Sequence, residues 1–184
     1  MKLTRHKLQF TDMFYADQQY ILDCFKKIPS YASLKHIFLN QVDLSTIIPL
    51  AKFISKDRLE FTKGLFFEMK NKGIELYKPI FLKTLEKDYR LIVPPVLERH
   101  NNKWYIFDGL HRLWLAREKG EKYVWTICVE HPPLPLPSTP RDWGQITYSD
   151  SSPSVSENLL EMKEELVRPL SKMFKSDITI YKNI

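Results

Sequence analysis

Residues 131–143, HPPLPLPSTPRDW, limit the fold more than any other stretch of this 184-residue chain. Prolines stand at positions 132, 133, 135, 137 and 140. Proline lacks a backbone N–H and clashes inside a helix, so the stretch cannot form a regular helix or an inner strand. We expect a stiff, extended arm that crosses its own domain, with a Pro-rich ligand for an SH3-like partner as the alternative.

The composition and the apolar stretches predict a globular protein without a membrane span. Hydrophobic residues make up 43% and charged residues 27% of the chain, which is typical of a folded domain. Pro49, Lys52 and Pro79 interrupt the best candidate stretches, so none reaches the length that crosses a bilayer. The basic start MKLTRHK is followed by TDMFYADQQY, which lacks the apolar core of a signal peptide. We therefore expect a cytoplasmic protein with no membrane partner.

The two cysteines predict neither a disulfide nor a zinc site. Cys24 and Cys128 lie within apolar patterns and lack Cys-x-x-Cys spacing. Cysteine behaves as a small apolar residue in such surroundings, so we expect two buried free thiols.

The net charge of +6 is concentrated in the first half of the chain. Residues 1–90 contain 16 Lys and Arg against 10 Asp and Glu, whereas the remaining residues contain equal numbers. A one-sided surplus of positive charge favours an anionic partner. Four cations lie close together before and within one predicted helix, and we call them the basic face: Lys52, Lys56, Arg58 and Lys63.

The hydrophobic periodicity predicts an α/β chain, of the α+β kind with a mixed sheet. Asp57 and Glu60 have the spacing of a capping box, and Gly73 is a typical helix end. The polar turn HNNKW predicts a hairpin between 91–99 and 103–107, with Pro94-Pro95 at an edge or a bulge. The remaining expected elements are helices over 12–28, 57–73 and 110–119, and strands over 35–44, 78–85 and 122–130.

The chain is expected to divide into three parts. Residues 1–34 would form an N-terminal helical extension and residues 35–130 the core. Residues 131–184 would form the Pro-rich arm and a C-terminal amphipathic helix packed on or beside the core. SDSSPSVSEN reads as a linker, and 156–174 has helical spacing until Pro169 kinks or ends it.

The stretch YIFDGLHRLWLAREKG, residues 105–120, combines a strand, a polar turn and a helix. A strand that runs directly into a helix leaves the first helical amides unpaired, and these amides attract phosphate. Gly109 permits close approach of an anion, Arg112 can fork onto phosphate oxygens, and His111 adds a further donor. The spacing therefore predicts an anion site at this turn.

Asp108 needs a separate explanation, since a carboxylate would repel a bare phosphate. It could hold Mg²⁺ that bridges to phosphates, accept a proton from an attacking hydroxyl, or orient the arginine. The alternative is that Asp108 caps the helix and that His111 and Arg112 lie in solvent. The residues by themselves leave both interpretations open.

The stretch PPVLERHNNKWYIFDGLHRLWLAREKGEKYVWTICVE resembles the core of the ParB/sulfiredoxin superfamily. Gly109, Arg112, Ala116 and Gly120 fall at the family's spacing in its strand, turn and helix. The resemblance covers about 40 residues well and residues 35–80 more loosely. In that family the Gly-x-x-Arg turn binds nucleotide phosphates, and members include CTP-hydrolysing partition proteins, sulfinic acid reductases and free serine kinases. The resemblance therefore implies a nucleotide site at Asp108–Arg112.

The departures from the family pattern reduce the number of activities that the resemblance implies for this chain. Leu110 stands where sulfiredoxins carry their catalytic cysteine, which excludes the reductase activity. Partition proteins have Glu-Arg at the positions of Leu110 and His111, and no helix-turn-helix pattern follows. The turn is most similar to that of free serine kinases, but Ala51 and Lys52 stand near the position of their glutamate base, with no carboxylate before Asp57.

These observations predict a nucleotide-binding protein that hydrolyses or transfers the terminal phosphate of a nucleoside triphosphate or diphosphate, as an ATPase, a CTPase or a small-molecule kinase. The expected ligands are ATP or CTP with Mg²⁺. Asp108 and His111 are the candidate catalytic residues, and Asp108 is the candidate metal ligand. Gly109, Leu110, His111 and Arg112 are expected to bind the phosphates. One alternative is a DNA-binding regulator or nuclease-like protein that uses the positive surplus of residues 1–90, which includes the basic face. A second is a non-enzymatic protein whose Pro-rich arm or C-terminal helix docks a partner. A separate possibility at the level of the site is a transition metal bound by four side chains: Glu98, His100, Asp108 and His111.

Overall fold

The structure, a computed structural model, describes residues 10–85, 89–168 and 170. Helices and strands are interspersed along the chain, which confirms the α+β class with a mixed sheet. The strands are β1 (Phe10–Tyr15), β2 (Ile37–Asp43), β3 (Ile47–Ile48), β4 (Phe53–Ser55), β5 (Ile80–Thr84), β6 (Tyr89–Ile92), β7 (Val96–His100), β8 (Lys103–Asp108), β9 (Tyr123–Val129) and β10 (Thr147–Ser149). The helices are α1 (Gln18–Lys26), α2 (Lys56–Asn71), α3 (Leu110–Glu118) and the single turn α4 (Val155–Asn158).

A five-stranded mixed sheet forms the centre of the fold, in the order β2-β9-β7-β8-β3. Strand β9 pairs antiparallel with β2 and parallel with β7, and β8 pairs antiparallel with β7 and parallel with β3. The expected β7–β8 hairpin is confirmed. Asn101 and Asn102 both have positive φ, as a two-residue turn between twisted strands requires.

A second sheet, in the order β1-β5-β6, corrects two expectations. The predicted strand over 91–99 is instead divided at Pro94-Pro95, where the chain leaves β6 and enters β7 of the central sheet. The predicted helix over 12–28 is also wrong in its first part, because residues 10–15 form β1 and pair with β5. The helix begins only after Asp17, whose carboxylate accepts a hydrogen bond from the Tyr20 amide at 2.8 Å.

Helix α2 is confirmed but starts differently from the expectation. Its N-cap is Ser55, whose hydroxyl accepts a hydrogen bond from the Arg58 amide, so Asp57 lies in the first turn rather than at the cap. Serine caps a helix as effectively as aspartate, and β4 delivers Ser55 directly to that position. The expected end is confirmed at Gly73, which has a φ of +66°.

The C-terminal amphipathic helix predicted over 156–174 is wrong within the described residues. Between residues 156 and 168 only α4 is α-helical, followed by a 3₁₀ turn at residues 164–166, and the next described residue, Leu170, is helical. Leu159 instead forms a β-bridge with Ala51, and the Lys163 amide donates to the Pro137 carbonyl at 2.8 Å. These contacts with distant segments satisfy backbone groups that a helix would have used internally. The expected break at Pro169 and residues 171–174 lie outside the described residues.

The Pro-rich arm crosses its own domain, as expected. Its backbone amides at Thr139 and Arg141 donate to the carbonyls of Leu160 and Pro49. The predicted linker SDSSPSVSEN is bound at both ends, because Ser149 belongs to β10, which pairs in parallel with β4, and Asn158 accepts hydrogen bonds from the Lys52 and Phe53 amides. The arm and the segment after it are thus held along much of their described length by contacts with the body of the protein.

Two apolar clusters fill the space between the sheets and helices. Cys24 and Cys128 are both buried, as expected. Trp104, Trp114 and Trp125 pack half-buried against one cluster. Within residues 10–85, 89–168 and 170, no helix combines the length and apolar character that a membrane span requires.

A buried ion pair on the central sheet binds segments from before and after that sheet in the chain. Glu98 on β7 is fully buried, and Arg168 donates to both of its carboxylate oxygens at 3.0 and 2.9 Å. The Tyr31 hydroxyl donates to the same carboxylate, and His100 Nε2 lies 2.9 Å from it. Burial, and then the charge of Glu98, raise the pKa of Tyr31 well above its usual range. The tyrosine therefore stays a neutral donor.

Arg168 also binds the Pro-rich arm. Its guanidinium donates to the carbonyls of Leu134 and Pro135 at 3.0 and 3.2 Å and to the carbonyl of Leu166. The group lies 4.8 Å from the centre of the Phe107 ring. One buried cation therefore connects β7, the arm and the C-terminal segment.

We expect Arg168→Met to lower the free energy of unfolding by about 3–5 kcal/mol, because it leaves Glu98 as a buried charge without a cation. The double variant Glu98→Gln, Arg168→Met should lose less free energy of unfolding than the two single variants lose when their losses are added. Urea unfolding monitored by tryptophan fluorescence measures these differences. Glu60→Gln, which removes the partner of the exposed Lys63, is the control and should change stability little. Strict additivity of the two core variants would contradict this account of the ion pair.

Candidate functional site

The β8–α3 turn opens into a cavity of about 550 Å³. The cavity is lined by Asp108–Arg112, by the first turns of α2, by residues 153–155 and 158–159, and by residues 167, 168 and 170. Ligand sites for small molecules have volumes of this order. The predicted phosphate-binding turn therefore borders a space large enough for a nucleotide.

Gly109 shapes the turn through its backbone conformation. Its φ of +86° lies in the left-handed region, and an added Cβ would come within 2.7 Å of Pro95 Cβ and 2.9 Å of Arg112 Nη2. The Gly109 carbonyl accepts hydrogen bonds from the amides of Arg112 and Leu113, both at 3.0 Å. The amides of Leu110 and His111 are left without a partner inside the helix, as at any helix start.

Arg112 is a buried part of this turn. Its Nη2 donates to Asp108 Oδ2 at 3.0 Å, and its Nη1 donates to the Val93 carbonyl. Burial lowers the pKa of the guanidinium, which nonetheless stays charged because the free pKa of arginine is so high. Arg112 thus has protein partners at both terminal nitrogens and ties the turn to the chain before Pro94-Pro95.

Asp108 does not cap α3, so the capping alternative is wrong. The N-cap position belongs to Gly109, and no side chain caps the helix there. Asp108 instead pairs with Arg112, one of the three roles that the residues left open. Its side chain remains 44% exposed, and the pairing offsets the negative charge that would repel a phosphate.

His111 sits between the turn and α2. Its Nε2 accepts a hydrogen bond from the Ser55 amide at 3.1 Å, which leaves Nδ1 to carry the ring proton. Burial, and then the positive charge of Arg58, lower the pKa of His111 to about 4. The imidazole is therefore neutral near pH 7 and offers a donor at Nδ1 without a positive charge.

The basic face does not act as one unit. Lys56 pairs with Asp150 at 2.6 Å and Lys63 pairs with Glu60 at 2.9 Å, so half of these cations have acidic partners. Arg58 lines the cavity and forms no ion pair with any described residue. Of the four cations, Arg58 is thus the one placed to meet an anion beside the turn.

The alternative transition-metal set is not assembled among the described residues. Glu98 and His100 bind each other in the buried ion-pair cluster, whereas Asp108 and His111 border the cavity. No group of three or more His, Cys, Asp or Glu side chains in the described ranges is arranged to hold a metal ion.

Two further cavity residues were not identified from the sequence. Phe61 on α2 is 43% exposed and lines the cavity. Asn158, at the end of α4, also lines the cavity, and its side-chain oxygen accepts hydrogen bonds from two backbone amides. No local pattern marks these two residues, because the cavity joins segments that are distant in the chain.

Comparison of this chain with protein-family models, with curated proteins and with solved structures finds no match. The interpretation of the site therefore depends on its own geometry and on the motif at the β8–α3 turn.

We expect Gly109→Ala to destabilise the protein by about 3 kcal/mol or more, because a Cβ adds both left-handed strain and a clash with Pro95. Gly73→Ala is the matched control, since Gly73 also has positive φ but open space around it. The free energy of unfolding of the Gly73→Ala variant should fall by about 1–2 kcal/mol, because only backbone strain is added. Urea unfolding compares the two variants, and equal losses would contradict the tight approach at Gly109.

We expect the protein to lose stability relative to His111→Gln as the pH falls from about 6.5 to 4. Over this range the unfolded chain binds a proton at His111 that the native state excludes, so unfolding becomes more favourable as the pH drops. The neutral His111 ring contributes about 3 kcal/mol at most to the free energy of unfolding, and this stabilisation is fully present above pH 6.5. Urea unfolding of both proteins at pH 7, 5.5 and 4 measures the difference, and parallel profiles would contradict a depressed pKa.

Proposed function

We propose that the protein binds a nucleoside triphosphate in the cavity and hydrolyses or transfers its terminal phosphate. One observation carries the proposal. A helix start with a left-handed glycine opens into a cavity that is also lined by Arg58, an exposed arginine with no ion-pair partner among the described residues. Helix amides and a guanidinium are the groups that proteins use to hold phosphate oxygens.

The phosphates would be bound by the amides of Leu110 and His111 and by Arg58. The partial positive charge of the α3 N-terminus favours an anion there, and Arg58 supplies the full positive charge. The neutral ring of His111 would donate from Nδ1 to a phosphate oxygen. Arg112 would hold the turn in place rather than contact the phosphates, because both of its terminal nitrogens already have protein partners.

Asp108 is the residue available for the chemical step. Its Oδ2 is held by Arg112, and its exposed carboxylate would accept the proton of an attacking water or hydroxyl. The attacking oxygen would bond to the terminal phosphorus while the bond from that phosphorus to the bridging oxygen breaks, and the nucleoside diphosphate would leave. Catalysis here would consist mainly of positioning and charge stabilisation.

The carboxylate of Asp108 is a suitable ligand for Mg²⁺. This ion binds through one or two carboxylates together with substrate phosphates and waters, and Asp108 supplies one partly exposed carboxylate beside the phosphate site. When bound, the ion would neutralise charge on the phosphate oxygens. Binding Mg²⁺ and accepting a proton are alternative uses of the same carboxylate.

The resemblance of the turn to the ParB/sulfiredoxin superfamily supports the same proposal independently of the cavity. The motif Asp108-Gly109-x-His-Arg112 stands between a strand and a helix, the position that the family uses for nucleotide phosphates. A nucleic-acid function is less well supported, since two of the four basic-face cations already have acidic partners.

The test is calorimetric titration with ATP, CTP and GTP, with and without Mg²⁺, followed by assays of phosphate release. We expect Arg58→Gln to weaken binding about tenfold or more, because it removes a charged partner of the phosphates. Asp108→Asn should keep binding and lower turnover by roughly a hundredfold or more if the residue is a base. Asparagine retains an oxygen that can accept from Arg112, so the turn should survive.

Lys63→Gln is the control for Arg58→Gln, because Lys63 belongs to the same helix but does not line the cavity. It should leave affinity unchanged. Arg112→Ala is a poor test, because it would leave the Val93 carbonyl and Asp108 without their partner. Equal affinity of the Arg58→Gln variant and the unmodified protein, or failure of all three nucleotides to bind, would overturn the proposal.

A further inference from the structure

We infer that Phe61 and Asn158 form the nucleoside end of the cavity, where Phe61 stacks on the base and Asn158 donates to an acceptor on the base or ribose. This inference rests on the proposed function, which concerns the phosphate end alone. Neither residue belongs to the turn motif, and neither acts on the phosphates in the account given above.

Phe61 has the exposure and placement of a stacking platform. It follows Arg58 by three residues on α2, so the two side chains lie on one face of the helix, and both line the cavity. A 43% exposed phenylalanine loses water contact when a flat ring covers it, and stacking of this kind accepts any base. Phe67 provides the contrast, because it is 63% exposed on the same helix but does not line the cavity.

The orientation of the Asn158 amide is determined by its backbone partners. Oδ1 accepts hydrogen bonds from the amides of Lys52 and Phe53 at 3.0 and 2.8 Å. Both acceptor positions of this oxygen are therefore used, and Nδ2 must be the atom with free capacity. No described residue accepts a hydrogen bond from Nδ2. The side chain thus offers N–H groups and selects a ligand atom with a lone pair, such as a ring nitrogen, a carbonyl oxygen or a ribose oxygen.

The remaining surroundings suit an uncharged ring. The cavity has several apolar lining residues outside the turn, contributed by the loop after β3 and by the segment around α4: Leu50, Ala51, Pro153, Val155 and Leu159. The charged groups of the cavity include Arg58, Asp108, Arg112 and Arg168, and the last two have their charges balanced by carboxylates. A nucleoside triphosphate has charged phosphates and an uncharged ring, so both kinds of lining residue would have a counterpart in this ligand.

The test compares calorimetric affinities for ATP and CTP with that for inorganic tripolyphosphate, which has the phosphates but no nucleoside. We expect Phe61→Ala to weaken nucleotide binding roughly 5- to 100-fold and to leave tripolyphosphate binding unchanged. Phe61→Leu, which keeps apolar bulk without the flat ring, should preserve the fold and show the same selective loss. Phe67→Ala is the matched control and should change neither affinity.

Asn158→Asp tests the donor, because it keeps two oxygens for the Lys52 and Phe53 amides but removes the N–H groups. The loss of tripolyphosphate affinity in this variant gives the effect of the added negative charge alone. The loss of nucleotide affinity should be several-fold larger, because it also includes the missing N–H donor. If neither ligand binds the unmodified protein, the proposed function fails and this inference fails with it. If both ligands bind and the Phe61 variants change them equally or not at all, the inference alone is overturned.

Discussion

The buried pair of Glu98 and Arg168 is the interaction on which the rest of the arrangement depends. A carboxylate in the middle of a β-sheet is tolerated only with a cation and further hydrogen bonds, and Arg168 supplies the cation from the far end of the described chain. The same guanidinium holds carbonyls of the Pro-rich arm. Because Arg168 also lines the cavity, the pair that anchors the C-terminal segment contributes to the shape of the candidate site.

The candidate site has its own local constraint at Gly109. The backbone there is left-handed and lies against Pro95, and Arg112 binds both Asp108 and the Val93 carbonyl across the same short gap. Protein contacts therefore hold the turn without any ligand, which suits a site that works by positioning. Arg112, which the motif suggested as the phosphate ligand, already donates to Asp108 and to the Val93 carbonyl. Arg58 lines the same cavity and has no ion-pair partner within the part of the chain that the structure describes.

The elements that the sequence predicted correctly are those formed by local signals. The Asn101-Asn102 hairpin, the strand that ends at Asp108 and the helix that follows depend on turn residues and periodicity within a few positions. The wrong predictions have the opposite origin. Residues 10–15 became a strand because β5 pairs with them, and residues 159–168 left the helical pattern because Ala51 and Pro137 bind their backbone. Periodicity within a segment contains no information about such distant partners.

By itself, the sequence determined the α+β class, the absence of a regular helix from the Pro-rich stretch and the position of the turn at Asp108–Arg112, because proline, glycine and alternating apolar residues act through neighbouring backbone. Only the tertiary structure decided the environment of that turn. It brought Arg58 and Phe61 from α2 and Asn158 from the C-terminal segment to one cavity, and it buried His111 enough to keep the imidazole neutral. Solvent exclusion and the distances between charges depend on packing between remote segments, so no stretch of the sequence determines them alone.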